Sequence, residues 1–332
     1  MYPVSTDYKN KIKENNRLFE CKIQIEHSQG TLYLDDKDLV AGSLTYTESS
    51  QSGEEFTIGG TVASDISFTI LNKPEYENIN FIGATVTCNI GLLIEAKNDE
   101  ENYFLQSNYP SEFQTEGGER WEWVPLGRFN IDVADRQRST IQIKAIDNMI
   151  NLDKPYSLSK LSYPTTLYQI YYDACVVCDI PYDAASLVNM VNGNYTVRQK
   201  PSNDLTFRDI IGYVAELSGT FAKCNRHGAL ELKWYEPTDI ELGPTNRFNF
   251  KPSDDVIQIK GVMATVDGTT YLAGSEDYAI DLSENPLLQG DYETVLPNIL
   301  ANVENTIFTP YTSEWQGNPA LQAGDMIVQV DR

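Results

Sequence analysis

The chain has 332 residues, enough for roughly two domains with real cores or three small ones. Hydrophobic and charged contents of 41% and 22% are ordinary for a globular protein, but 48 acidic residues against 25 basic ones give a net charge of −23. Such a surface repels phosphate backbones and anionic lipid, which argues against sequence-specific DNA binding and against peripheral membrane binding.

The N-terminus, MYPVSTDYKNKIKENN, is polar and lacks the apolar centre of a signal peptide, and no run of about 18 apolar residues follows anywhere. No membrane anchor is expected. Residues 7–19 are charged and suit a short helical arm or a loose lead-in. From Cys21 the pattern becomes β: Cys21, Ile23 and Ile25 alternate with Lys22, Gln24 and Glu26, and residues 31–34 continue beyond a Gln29-Gly30 turn. Further strands are expected at 39–47, 56–62, 66–71 and 85–93, the last apolar enough for the middle of a sheet.

Residues 95–123 break this rhythm. Eight acidic residues stand against Lys97 and Arg120, with Tyr103, Phe104, Tyr109, Phe113, Trp121 and Trp123 interleaved. A loop this long inside a compact domain is either a solvated excursion or a contact loop, aromatics giving area and acids giving specificity. From Gly127 the alternation returns: Phe129, Ile131 and Val133, then a polar turn, then Ile141, Ile143 and Ala145. This hairpin, with the apolar turn to Tyr156 behind it, reads as the end of a first β-rich domain, 1–156.

Helical periodicity follows. Leu167, Ile170, Tyr171, Ala174, Cys175 and Cys178 form one helical face, with Pro164 near its start. Thr206 and Asp209 resemble a capping box before the stripe Phe207, Ile210, Ile211, Val214 and Leu217, and Gly219 suits the helix end. A hairpin over 221–234 turns at 225–228. Residues 157–236 therefore form a small α+β domain. Beyond it, strands at 256–266 and 269–272 pair across Asp267-Gly268. A helix over 291–305 tolerates Pro297 only near its first turns. The sequence ends in alternation, so the second β-rich domain, 237–332, is expected to be truncated at its C-terminal end.

Chemistry-bearing groups are few. Cys175-x-x-Cys178 and Cys224-x-x-His227 have the spacings of a tetrahedral zinc site. However, Cys175 and Cys178 lie on an apolar helix stripe, where cysteine acts as a small hydrophobe. No metal is favoured and no cofactor is expected. An odd five cysteines do not suggest a disulfide framework and fit a reducing, cytoplasmic site of synthesis. There is no Gly-x-Ser-x-Gly, no His-Glu-x-x-His and no glycine-rich phosphate loop. The abundant carboxylates read as a solvated face, and Asp35-Asp36-Lys37-Asp38 reads as a turn, since it lacks the glycine of an EF-hand. No catalytic residue is assigned.

Residues 22–45, 127–156, 163–182, 205–235 and 314–330 together resemble the tail-tip hub proteins of siphophages and prophages of Gram-positive bacteria. Those are similar to the N-terminal part of tail-associated lysins and, more distantly, to baseplate hubs. The resemblance covers nearly the whole chain and implies an α+β, mostly β fold. Two β-barrel-like tube domains would flank a small inserted α+β domain. It implies a homotrimer that closes the distal end of the tail tube as a pseudo-sixfold ring at the virion tail tip. Distal tail and tube proteins, the tape measure protein and fibre or receptor-binding proteins would be its partners, and DNA would pass without specific binding. The 95–123 segment is longer than the family pattern, and no peptidase or glycosidase domain is visible within these residues, so no lytic role is carried over. The alternatives are the anchoring fragment of a tail-associated cell-wall hydrolase, or a carbohydrate-binding module using Trp121 and Trp123 as stacking platforms.

Overall fold

A computed structural model describes residues 1–51, 56–95, 115–116, 119–252 and 256–330. About 40% of the described residues are strand and 20% helix, so the protein is mostly β with a few helices. It divides into two compact units, each assembled from three separate stretches. Unit 1 comprises Met1–Thr47, Asp65–Asp147 and Gly317–Gln322, and unit 2 comprises Glu48–Ser64, Asn148–Gln316 and Ala323–Arg332.

Unit 1 holds a helix, α1 (Thr6–Lys11), and strands β1 (Phe19–His27), β2 (Gly30–Leu34), β3 (Thr45–Thr47), β4 (Asp65–Leu71), β5 (Thr85–Glu95), β6 (Thr115–Glu116), β7 (Glu119–Arg136) and β8 (Thr140–Asp147). They form one sheet in the order β2-β1-β5-β7-β8-β4-β3, with β6 pairing β7. Among the described residues the two ends of this order, β2 and β3, do not pair, so the sheet stays open and no closed barrel forms. The alternation read from the sequence places Ile23, Ile25, Phe68, Val86, Phe129, Ile141 and Ile143 in one core. Val133 departs from it. A register shift between Ile131 and Val133 puts an extra residue into β7, and Val133 turns outward. Of the strand expected at 39–47 only β3 forms, with an isolated bridge from Leu39 to Ile70.

The charged arm is a docked helix. Ser5 caps α1 by accepting a hydrogen bond from the Tyr8 amide at 3.1 Å. The Glu122 carboxylate accepts from the Ser5 amide at 2.7 Å and from its hydroxyl. Tyr8 and Ile12 bury themselves against Leu92, Val124 and Ala320, and the Tyr2 amide donates to the Ala320 carbonyl at 2.8 Å.

Unit 2 contains β9 (Thr165–Thr166), α2 (Leu167–Cys178), α3 (Ala184–Asn189), β10 (Thr196–Val197), α4 (Phe207–Ser218), β11 (Phe221–Cys224) and β12 (Leu230–Lys233). There follow β13 (Glu236–Leu242), β14 (Arg247–Pro252), β15 (Ile257–Gln258), β16 (Gly261–Val266), β17 (Thr269–Gly274), β18 (Ala279–Asp281), α5 (Tyr292–Val303), β19 (Ile307–Phe308), β20 (Tyr311–Trp315) and β21 (Asp325–Gln329). The strands form small ladders: β9 with β10, β11 with β12, β13 with β21 (parallel), β14 with β20, β15 with β19, and β17-β16-β18. One core takes side chains from α2, α4, β11, β16 and α5.

Both long helices expected from the sequence begin at capping boxes, Thr166 with Gln169 and Thr206 with Asp209, and α4 ends at Gly219 with φ 63°. Asp267 and Gly268, both at positive φ, turn β16 into β17. Pro297 is the sixth residue of α5, in its second turn, where a proline cannot donate to the Glu293 carbonyl.

The stretch expected as a strand at 56–62 forms none. It belongs to the excursion Glu48–Ser64, which leaves the sheet of unit 1 and is fastened into unit 2. Gly59 N–H donates to the Thr220 carbonyl and Ala222 N–H to the Gly60 carbonyl, both at 2.7 Å. Glu48 meets the buried Lys223 ammonium of β11 at 2.5 Å.

Candidate interaction surface

The residues with candidate roles fall into three places. Tyr103, Phe104, Tyr109 and Phe113 lie outside the described residues. Trp121 and Trp123 belong to no loop: β7 already begins at Glu119, so both are strand residues. Trp121 is buried, with Nε1 donating to Glu119 at 3.2 Å. Trp123 is half-buried, and Lys22 Nζ lies 4.4 Å from its ring centroid. A buried indole cannot serve as a stacking platform for a sugar, which corrects the role proposed for Trp121.

The cysteine and histidine set is spread over a helix, a strand and a turn. Cys175 and Cys178 are buried on the inner face of α2, Cys224 is buried in β11, and His227 is exposed in the turn before β12. Among the described residues no group of three or more His, Cys, Asp or Glu side chains is placed to hold a metal. Burial pushes the Cys175 thiol up to about 12, helped by Cys178, and pushes Cys178 up to about 11 against the pull of Lys154. Such thiols stay protonated, the opposite of what metal ligation or nucleophilic chemistry requires.

The feature that the sequence reading passed over is the other side of α2. Its inner stripe is fully buried, and Tyr171 donates from its hydroxyl to the Leu230 carbonyl. Tyr168, Tyr172 and Val176, spaced i, i+4 and i+8, point outward and are 44%, 43% and 61% exposed. The chain after α2 is then held against β12. Tyr182 bridges Leu230 in parallel, the Asp183 amide donates to the Leu230 carbonyl at 2.9 Å, and the Leu230 amide donates to the Pro181 carbonyl at 2.8 Å. That attachment sets the Tyr182 ring 5.5 Å from Tyr172 in an edge-to-face pair. Tyr182 is itself 47% exposed.

The result is an apolar, largely aromatic strip on a helix and a hydrogen-bonded segment. Residues 161–197 contain Asp173, Asp179 and Asp183 and no lysine or arginine. Lys154 reaches the helix from outside that segment, donating to the Val177 carbonyl at 3.3 Å. Covering the exposed parts of Tyr168, Tyr172, Val176 and Tyr182 is worth on the order of 4 kcal/mol. Association itself costs at least about that much, so the strip can anchor a larger contact and cannot hold a partner alone. The i, i+4, i+8 spacing of Tyr168, Tyr172 and Val176 is readable in the sequence, beside the inner stripe that by itself accounts for the helix.

No family model matches the sequence, and no curated protein matches it. Among solved structures, the chain is similar to the prophage tail protein gp18 from Listeria monocytogenes EGD-e. The TM-score is 0.54 at 9% identity, covering 93% of this chain and 84% of that one. The 43 kDa tail protein of prophage MuSo2 from Shewanella oneidensis scores 0.47 at 13% identity, covering 93% and 88%. A tail protein from Neisseria meningitidis MC58 scores 0.42 at 11% identity, covering 80% and 73%. The gp18 likeness establishes a shared fold; the other two scores are too low to carry an argument.

Proposed function

We propose that this chain is a non-enzymatic structural protein of a phage tail, acting at the tail tip as a hub. The observation that carries this reading is the fold shared with the Listeria prophage tail protein across 93% of the chain. In this reading three copies close the distal end of the tube as a ring. The β-rich parts of each chain supply barrel-like wall segments, and the helical part between them faces outward. The outer face of α2 is the attachment surface for a peripheral tail component such as a fibre or receptor-binding protein. Tape measure protein and DNA pass through when the ring opens, and a net charge of −23 keeps DNA from sticking to its wall. The thiols of α2 and β11 are packing groups, with no metal.

The test is a solution mass with electron micrographs of the purified chain and of particles that contain it. A three-copy ring at the tail tip is expected. A compact monomer that joins no ring even with its tail partners overturns the hub. The surface is tested separately with Tyr172→Arg and Val176→Arg, whose exposed positions leave the core intact. Particles should then form with the peripheral component missing or reduced at least tenfold; full occupancy would sink the role given to α2. Deleting residues 97–120 separates a recognition role, which loses adsorption, from a docking role, which loses assembly.

A further inference from the structure

Cys21 on β1 and Cys88 on β5 lie in neighbouring strands of the unit 1 sheet. Cys21 is registered opposite Ile90, and Cys88 opposite Ile23, which makes the two cysteines diagonal neighbours. Both belong to the buried core. Their Sγ atoms are 3.7 Å apart, Cys21 keeps 5% exposure and Cys88 none, and both are free thiols. A disulfide needs its sulfurs at about 2.05 Å, so the bond closes on an approach of roughly 1.7 Å, and the diagonal placement asks β1 and β5 to shift along with the two side chains.

We propose that Cys21 and Cys88 are a disulfide-forming pair, oxidised by exchange with a small aliphatic disulfide when the chain folds in an oxidising medium. The Cys21 thiolate attacks one sulfur of the small disulfide, forming a mixed disulfide and releasing one thiolate. The Cys88 thiolate then attacks the Cys21 sulfur, forming the Sγ–Sγ bond and releasing the second. The small disulfide is reduced to two thiols, which take up the two protons the cysteines lose. In the folded sheet this exchange is slow. The Cys88 thiol is held well above its ordinary value, first by its hydrogen-bonding contact with the Cys21 sulfur and then by burial. Synthesis in a reducing cytoplasm leaves the pair as thiols, and the cross-link belongs to chains that fold or refold outside it. Joining positions 21 and 88 removes freedom from the unfolded chain and ties β1 to the middle of the sheet.

The experiment refolds the full chain from denaturant in a buffer of reduced and oxidised glutathione, then alkylates and maps every cysteine by mass spectrometry. Free thiols should fall from five to three, with one peptide pair joined through Cys21 and Cys88 and two hydrogens lighter. The midpoint of thermal unfolding should rise by roughly 5 °C. Cys21→Ser and Cys88→Ser should each abolish the link, and Cys175→Ser should leave it intact. Five free thiols after refolding, a glutathione adduct remaining on Cys21, or a link through any other cysteine would each overturn the proposal.

Discussion

At the scale of single residues, Glu216 on α4 is a carboxylate held in an unfavourable, desolvated place. The Gly59 backbone closes over it: a Cβ on Gly59 would come within 2.4 Å of the Glu216 Cγ. Its Oε2 accepts a hydrogen bond from Asn285 Nδ2 at 2.8 Å. Desolvation outweighs that bond and lifts the carboxyl to about 7. Its contribution to stability is complete below the unfolded value near 4.5 and disappears as pH rises through about 7. Above that, the folded chain must hold a desolvated charge, at a cost on the order of 2 kcal/mol once partial solvent access is allowed for. Glu216→Gln keeps an acceptor for Asn285 and removes the charge. It should raise the unfolding midpoint by a few degrees at pH 8 and leave it nearly unchanged at pH 4.5, as thermal scans across that range will show. An equal gain at both pH values would mean that ionisation is not the cause.

At the scale of elements, a buried ion pair joins the backbone hydrogen bonds that fasten the excursion Glu48–Ser64. Lys223 and Glu48 have side chains only 1% and 8% exposed, and Lys223 stands opposite Glu231 across the β11–β12 ladder. Burial pushes Glu231 up while Lys223 and Lys233 pull it down. Removing one member of a buried pair costs more than the pair contributes, because the other charge stays behind. Glu48→Ala should therefore destabilise by about 3 kcal/mol, read as a lower urea midpoint at unchanged slope. A loss under about 1 kcal/mol would show that Glu231 alone can satisfy Lys223. This excursion was illegible in the sequence. Thr57, Ile58 and Val62 have strand composition, but the groups that bind the segment, Thr220, Ala222 and Lys223, lie more than 150 positions along the chain. By contrast α2, α4 and the turn between β7 and β8 carry period, cap and turn residues within one short window and are legible to a residue or two. Trp121 and Trp123 were misplaced because acidic neighbours in the sequence masked a strand whose pairing to β5 is long-range.

At the scale of the whole molecule, the chain passes between its two units five times, after residues 47, 64, 147, 316 and 322. The return at Gly317–Gln322 gives unit 1 its last apolar contact, Ala320 against Tyr8, Leu92 and Val124. On a ribosome that emits the chain from its N-terminus, the first helix is translated more than 300 residues before the group that seals it. Contacts of such separation form late, after long loops have closed. A nascent chain arrested before residue 317 should expose residues 1–12 to protease, and one released after residue 330 should protect them; protection in both would place the sealing contact elsewhere. The chain thus carries its own timing. Its N-terminal unit stays unfinished until almost all of the described sequence has been made, so its complete surface exists only once synthesis is nearly over.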